Sequence, residues 1–190
     1  MPGKYLASDI ELLQSGKHPG KTNITDIDNA LNILRYFTET PSVVIVKHNK
    51  PCGVAIAETL SDAYEKAFLA DRIAAFGGAI AVNRAIDKAT AEAIADSYSE
   101  VVAAPEYEEN TMDILKKRKN LRIMRIATIE KLHTFVGQRF IDIKSLIDGG
   151  MVIQWSYTTD IFSKENLSIA SSTHQGKEYT IKRSPTEQEY

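Results

Sequence analysis

The chain reads as an α/β protein, a three-layer α/β/α sandwich, and three observations predict it. Short β-branched or alanine-rich apolar runs occupy 43–46, 79–82 and 101–104, a further strand pattern occupies 121–126, and helical patterns alternate with them. The first three runs lack the polar alternation of half-exposed strands, so they require helices on both faces of the sheet. Right-handed crossovers between such strands make neighbours parallel.

In chain order, Thr25 or Asp26 supplies an N-cap for a helix whose Ile27, Ala30, Leu31, Leu34 and Phe37 share one face. The strand at 43–46 follows, and the Pro51-Cys52-Gly53 turn ends it. Ser61 caps a helix through Ala63, Ala67 and Ala70, and Phe76-Gly77-Gly78 breaks the chain before the 79–82 strand. Residues 87–98 form a third helical pattern, 107–117 another, and 121–126 a strand. Beyond Ala127 the alternation stops. Residues 131–148 fit neither period, 151–155 read as a strand after Asp148-Gly149-Gly150, and 156–176 as a long polar loop. Ser184-Pro185-Thr186-Glu187 combines a serine N-cap, a first-turn proline and a capping-box glutamate, so either a helix starts there or the tail frays. There is no internal repeat.

A chain of 190 residues buries roughly 70% of its unfolded surface as one domain. With 43% hydrophobic and 25% charged residues it has an ordinary globular composition. A net charge of −2 gives no electrostatic footprint for nucleic acid. The single cysteine, Cys52, excludes an intrachain disulfide and fits a reducing compartment. The amino terminus has no apolar signal core, and no run approaches the ~20 apolar residues of a membrane span. The expectation is a cytoplasmic protein with neither a nucleic-acid nor a membrane partner.

The chemistry concentrates where the 43–46 strand delivers Lys47 and His48 into Asn49-Lys50-Pro51-Cys52-Gly53. A solvated strand-end lysine beside a hydrogen-bonded edge histidine is one reading of that pair; a catalytic pair is the other. Imidazole, with an ordinary pKa of about 6.5, suits general-base work, and an adjacent cation stabilises a developing oxyanion. Neighbouring strand residues point to opposite faces, so both engage one substrate only if the strand ends or bulges there. Open α/β sheets bind ligands at the carboxyl ends of their strands. Pro51-Cys52 also invites a zinc reading, but Ala55 stands where a Pro-Cys-x-x-Cys motif needs its second thiolate. His18, His48, His133 and His174 show no paired ligand spacing. No metal is expected, and Cys52 reads as a small packed residue.

The blocks Lys47-His48-Asn49-Lys50-Pro51-Cys52-Gly53-Val54-Ala55, Ala75-Phe76-Gly77-Gly78, Asn83-Arg84 and Glu100-Val101-Val102-Ala103-Ala104-Pro105-Glu106-Tyr107-Glu108-Glu109 resemble, in order, the transformylase domain of the bifunctional AICAR transformylase/IMP cyclohydrolase family. Lys119-Asn120-Leu121-Arg122, Asp148-Gly149-Gly150 and Lys182-Arg183-Ser184-Pro185-Thr186-Glu187 continue the likeness across nearly the whole chain. The resemblance implies a cytidine-deaminase-like fold without its zinc. It also implies formyl transfer from 10-formyltetrahydrofolate to the 5-amino group of AICAR in purine (IMP) biosynthesis.

By that resemblance His48 matches the proton acceptor, Lys47 the transition-state stabiliser, and Gly77 and Glu100 substrate contacts. Phe76 is the candidate aromatic wall, and Asn23 aligns with the final asparagine of a family Gly-Lys-Glu-Leu-Ser-Tyr-Asn-Asn segment. On the residues alone, Gly77 also reads as turn-shaping, Glu100 as a solvated strand end and Phe76 as core. The family's Arg-Tyr-Gly-Glu-Asn-Pro-His phosphate block, its cyclohydrolase domain and its second transformylase subdomain have no counterpart in these residues. Residues 1–190 are therefore expected to be the first transformylase subdomain, partnered by a second subdomain in a homodimer and inactive in isolation. A non-catalytic binding or assembly module that keeps the fold is the alternative.

Overall fold

The computed structural model describes residues 6–158 and 163–187 and divides into two compact units, Met1–Val136 and Gly137–Tyr190. The first unit holds β1 (Glu11–Gln14), α1 (Lys21–Leu34), β2 (Ser42–Lys47), β3 (Lys50–Ile56), α2 (Leu60–Ala70), α3 (Arg72–Ala75), β4 (Ala79–Val82), α4 (Lys88–Asp96), β5 (Val101–Ala104), α5 (Thr111–Leu115) and β6 (Arg122–Arg125), then a 3-10 helix at Ile129–Phe135. Its six strands form one sheet in the order β1-β6-β5-β4-β2-β3.

Side chains alternate across each strand, and each face finds its own helices. Val43, Ile45, Ile80, Val82, Val102 and Ala104 pack against Leu60, Ala63, Tyr64 and Ala67 of α2 and Ala91 and Ile94 of α4. Val44, Val46, Ala79, Ala81, Val101 and Ala103 pack on the other side against Ile27, Ala30, Leu31 and Leu34 of α1. The three layers follow directly, and β2 is buried on both faces as its unbroken apolar run requires.

The sheet is mixed rather than parallel. β4, β5 and β6 are parallel to one another, but β2 runs antiparallel to both β3 and β4, and β1 antiparallel to β6. The cause is local: β2 and β3 form a hairpin, so the chain returns without a crossover helix. Pro51-Cys52-Gly53 is consequently strand, not turn. Pro51 is tolerated because β3 is the sheet edge, and Gly53 is needed because α2 crosses closely enough to put a Cβ there 1.8 Å from the Ala67 carbonyl oxygen.

Other differences from the sequence reading have similar causes. α1 begins at Lys21, not after Thr25, because the Asn23 side chain turns back to accept the Gly20 N–H at 3.0 Å. α2 is capped by Thr59, whose hydroxyl accepts the Asp62 N–H, leaving Ser61 inside the first turn. The helix expected over 107–117 shrinks to Thr111–Leu115, since Tyr107 is drawn to the sheet, where its hydroxyl donates to the Met124 carbonyl at 2.8 Å. Asn110, at φ 67°, delays the helix start further.

In the second unit β7 (Ile141–Ser145) and β8 (Met151–Trp155) form a hairpin. A second hairpin, β9 (Ser171–His174) and β10 (Lys177–Thr180), occupies part of the expected polar loop, turning through Gln175 and Gly176 at positive φ. The helix expected from Ser184 does not form through Glu187, whose carboxylate pairs with Lys164; its continuation, including Tyr190, lies outside the described residues. Among the described residues no helix is long and apolar enough to cross a membrane.

Candidate active site

β2 ends at Lys47, and His48 and Asn49 form the two-residue turn that returns the chain along β3. Both turn residues lie at positive φ, 55° and 63°, the signature of a type I′ turn. Non-glycine residues held there cost of order 1–3 kcal/mol each and persist only where the surroundings impose them. The requirement that the strand end is met: Lys47 retains a strand direction while His48 leaves the backbone from a left-handed residue. Lys47 reaches inward and donates from Nζ to the Phe76 carbonyl at 2.6 Å. His48 is exposed.

Phe76 and Gly77 form the entry to β4. Gly77 sits at φ 76°, a conformation a side chain would strain, and a Cβ there would lie 3.2 Å from the Tyr98 ring. Phe76 is not core: it is 58% exposed, with its ring 5.1 Å from that of Tyr98. The Gly77 N–H donates to the Tyr98 carbonyl, and the Glu100 N–H to the Gly78 carbonyl, so the entries to β4 and β5 are stitched side by side. Glu100 in turn accepts from the Asn23 side-chain amide at 3.1 Å and pairs with the Arg122 guanidinium at 3.5 Å. It is therefore not a free, solvated strand end.

All six candidate residues thus lie along one edge of the sheet: Lys47 bonds to the Phe76 carbonyl, Gly77 to Tyr98 and Gly78 to Glu100, with His48 next to Lys47 and Asn23 on Glu100. That edge lies at the carboxyl end of β2 but at the amino ends of the parallel strands β4, β5 and β6. The usual location for an open parallel sheet is reversed here, because antiparallel β2 brings its terminal pair to the opposite side.

Three residues join the site that the sequence reading assigned no part in it. Asp26, placed on α1 three residues after Asn23 and so on the same helix face, accepts the backbone N–H groups of His48 and Asn49. Arg122, nearly buried, holds Glu100 and donates from Nε to the Lys17 carbonyl at 2.6 Å. Tyr98 backs the Phe76-Gly77 bend. Each partner lies far away in sequence, and no local pattern announces such contacts.

Cys52 packs partly buried against the α2 side of the core. Burial, then the Asp71 carboxylate, pushes its thiol above the ordinary cysteine range, the opposite of a metal-ligating thiolate. Among the described residues no three His, Cys, Asp or Glu side chains are grouped as a metal site. Chemically, the edge offers an exposed imidazole, an anchored ammonium with N–H groups to spare, an aromatic face and an oriented carboxylate.

The AICARFT/IMPCHase bienzyme family model matches residues 3–188. Similar proteins include the bifunctional purine biosynthesis protein PurH of Bacillus subtilis (strain 168), 36% identical over the whole chain and 33% of the relative. PurH of Bacillus cereus (strain B4264) is 39% identical over 92% of the chain and 31% of the relative. PurH of Caldicellulosiruptor bescii is 42% identical over 73% of the chain and 26% of the relative. The chain spans a third or less of the length of these relatives.

Proposed function

This chain belongs to the AICARFT/IMPCHase bienzyme family, and we propose that it carries the Lys-His part of a formyltransferase site acting on AICAR with 10-formyltetrahydrofolate as donor. The observation that supports this most is the placement of Lys47, Phe76, Gly77, Glu100 and Asn23 along one edge through hydrogen bonds of these residues and their neighbours, with His48 following Lys47 in the turn. In this reading the exposed His48 imidazole takes a proton from the 5-amino group as its nitrogen attacks the formyl carbon. The formyl oxygen gains negative charge, which the Lys47 ammonium stabilises with the N–H groups left over from its bond to the Phe76 carbonyl. Collapse restores the C=O bond, breaks the bond to the folate N10, and returns a proton to that nitrogen.

Phe76 offers a face to the imidazole ring of the substrate. Gly77 lets the substrate approach the backbone, and Glu100 keeps lone pairs for ribose hydroxyls or the carboxamide beyond those given to Asn23 and Arg122. None of these six residues is assigned the substrate phosphate, which falls to the family's Arg-Tyr-Gly-Glu-Asn-Pro-His block, or most of the folate contacts, which fall to a second transformylase subdomain, in a homodimer. A cytidine-deaminase-like fold working without zinc, a bifunctional parent that also carries IMP cyclohydrolase, and a cytoplasmic location belong to the same proposal. The test is kinetic, on the protein that carries this chain. His48→Ala should lower formyl transfer by roughly 10²-fold or more, with the KM for AICAR changing much less. A folded His48→Ala protein with normal turnover removes His48 from the chemistry.

A further inference from the structure

The His48-Asn49 turn lacks the glycine that two-residue turns with positive φ normally carry at their second position. Asn49 adopts positive φ more readily than most residues and its side-chain amide lies 3.1 Å from that of Asn29, and contacts from α1 add to the hold on the turn. Asp26, only 5% exposed in the second turn of α1, is placed to do so. Its Oδ2 accepts the His48 N–H at 3.3 Å and its Oδ1 the Asn49 N–H at 2.6 Å. One carboxylate spanning two consecutive N–H groups fixes the orientation of both peptide planes, and with them the direction in which the His48 side chain leaves the backbone. Lys47, on the strand side, is fixed independently through the Phe76 carbonyl.

We infer that Asp26 is a positioning residue for formyl transfer: its carboxylate clamps the His48-Asn49 turn in its left-handed conformation and so aims the imidazole at the substrate amine. The inference rests on the reading of His48 as the base. It assigns Asp26 no contact with substrate, so its loss acts on kcat rather than on KM, since a misaimed base costs rate while the binding groups stay in place.

The experiment is a rescue, made in the protein that carries this chain and followed by steady-state kinetics and by hydrogen exchange of the His48 and Asn49 amides. Asp26→Ala should lower kcat about 10-fold or more with a KM for AICAR close to the parent's, and should speed exchange at both amides. Asn49→Gly, which makes the turn favourable by itself while giving up the Asn49 side-chain contact with Asn29, should restore most of the kcat lost in Asp26→Ala. Asp26→Asn keeps one acceptor oxygen and should fall between; it carries the same test if Asp26→Ala does not fold. Unchanged kcat in a folded Asp26 variant, or a loss that Asn49→Gly does not recover, overturns the clamp. The two failures are separable: an active His48→Ala protein defeats the base assignment, whereas an inactive one beside a fully active Asp26→Ala protein defeats only the clamp.

Discussion

Cys52 shows at the residue scale how neighbours decide chemistry. Its position beside Lys47 looks favourable for a reactive thiolate, but burial and the carboxylates of Asp71 and Asp26 outweigh the lysine and push the thiol up. A raised pKa means less thiolate at any given pH. Alkylation by iodoacetamide should therefore be slower than for a free cysteine at pH 7.5, with its inflection above the ordinary value of about 8.5. An inflection at or below that value would contradict the account. Lys47, His48, Gly77 and Glu100 stand out in the sequence as candidates because their motifs are contiguous. Asp26 and Arg122 are not, because their work is done on backbone amides and on a carboxylate supplied by other elements.

The β2–β3 hairpin against α2 is the element that fixes the site, and Gly53 makes it possible. Gly53→Ala would drive a Cβ onto the Ala67 carbonyl, separating α2 from β3. It should destabilise the protein by at least the roughly 1–3 kcal/mol typical of overpacking, read from urea unfolding; an unchanged midpoint would show that α2 yields freely. The Tyr107 hydroxyl ties β5 to β6 through the Val102 and Met124 carbonyls. Tyr107→Phe should cost about 1–2 kcal/mol by the same measurement. β4 and β5 are legible to the residue, since four buried apolar residues between turn signals admit no other use. The hairpin is not. Its turn contains no glycine, so composition directs attention to Pro51-Cys52-Gly53, where proline and glycine serve a strand edge and a helix contact instead.

For the molecule as a whole, both apolar clusters lie within residues 7–132, and the strands of the second unit expose every residue. Amide exchange should accordingly be slowest in β2, β4, β5 and β6 and markedly faster in β7 to β10. Equal protection in both would show that the second unit has a core of its own. The same first unit gathers ends of β2, β4, β5 and α1 along one edge, and the proposed reaction treats Lys47 and His48 there as two parts of one device. The most direct test is a double-substitution cycle on formyl transfer with His48→Ala, Lys47→Met and their combination, in the protein that carries this chain. Each single change should lower kcat and the double variant should be little worse than the poorer single, because base and oxyanion stabiliser serve one transition state in the proposed reaction. Losses that multiply, or a single variant with parental turnover, would contradict it.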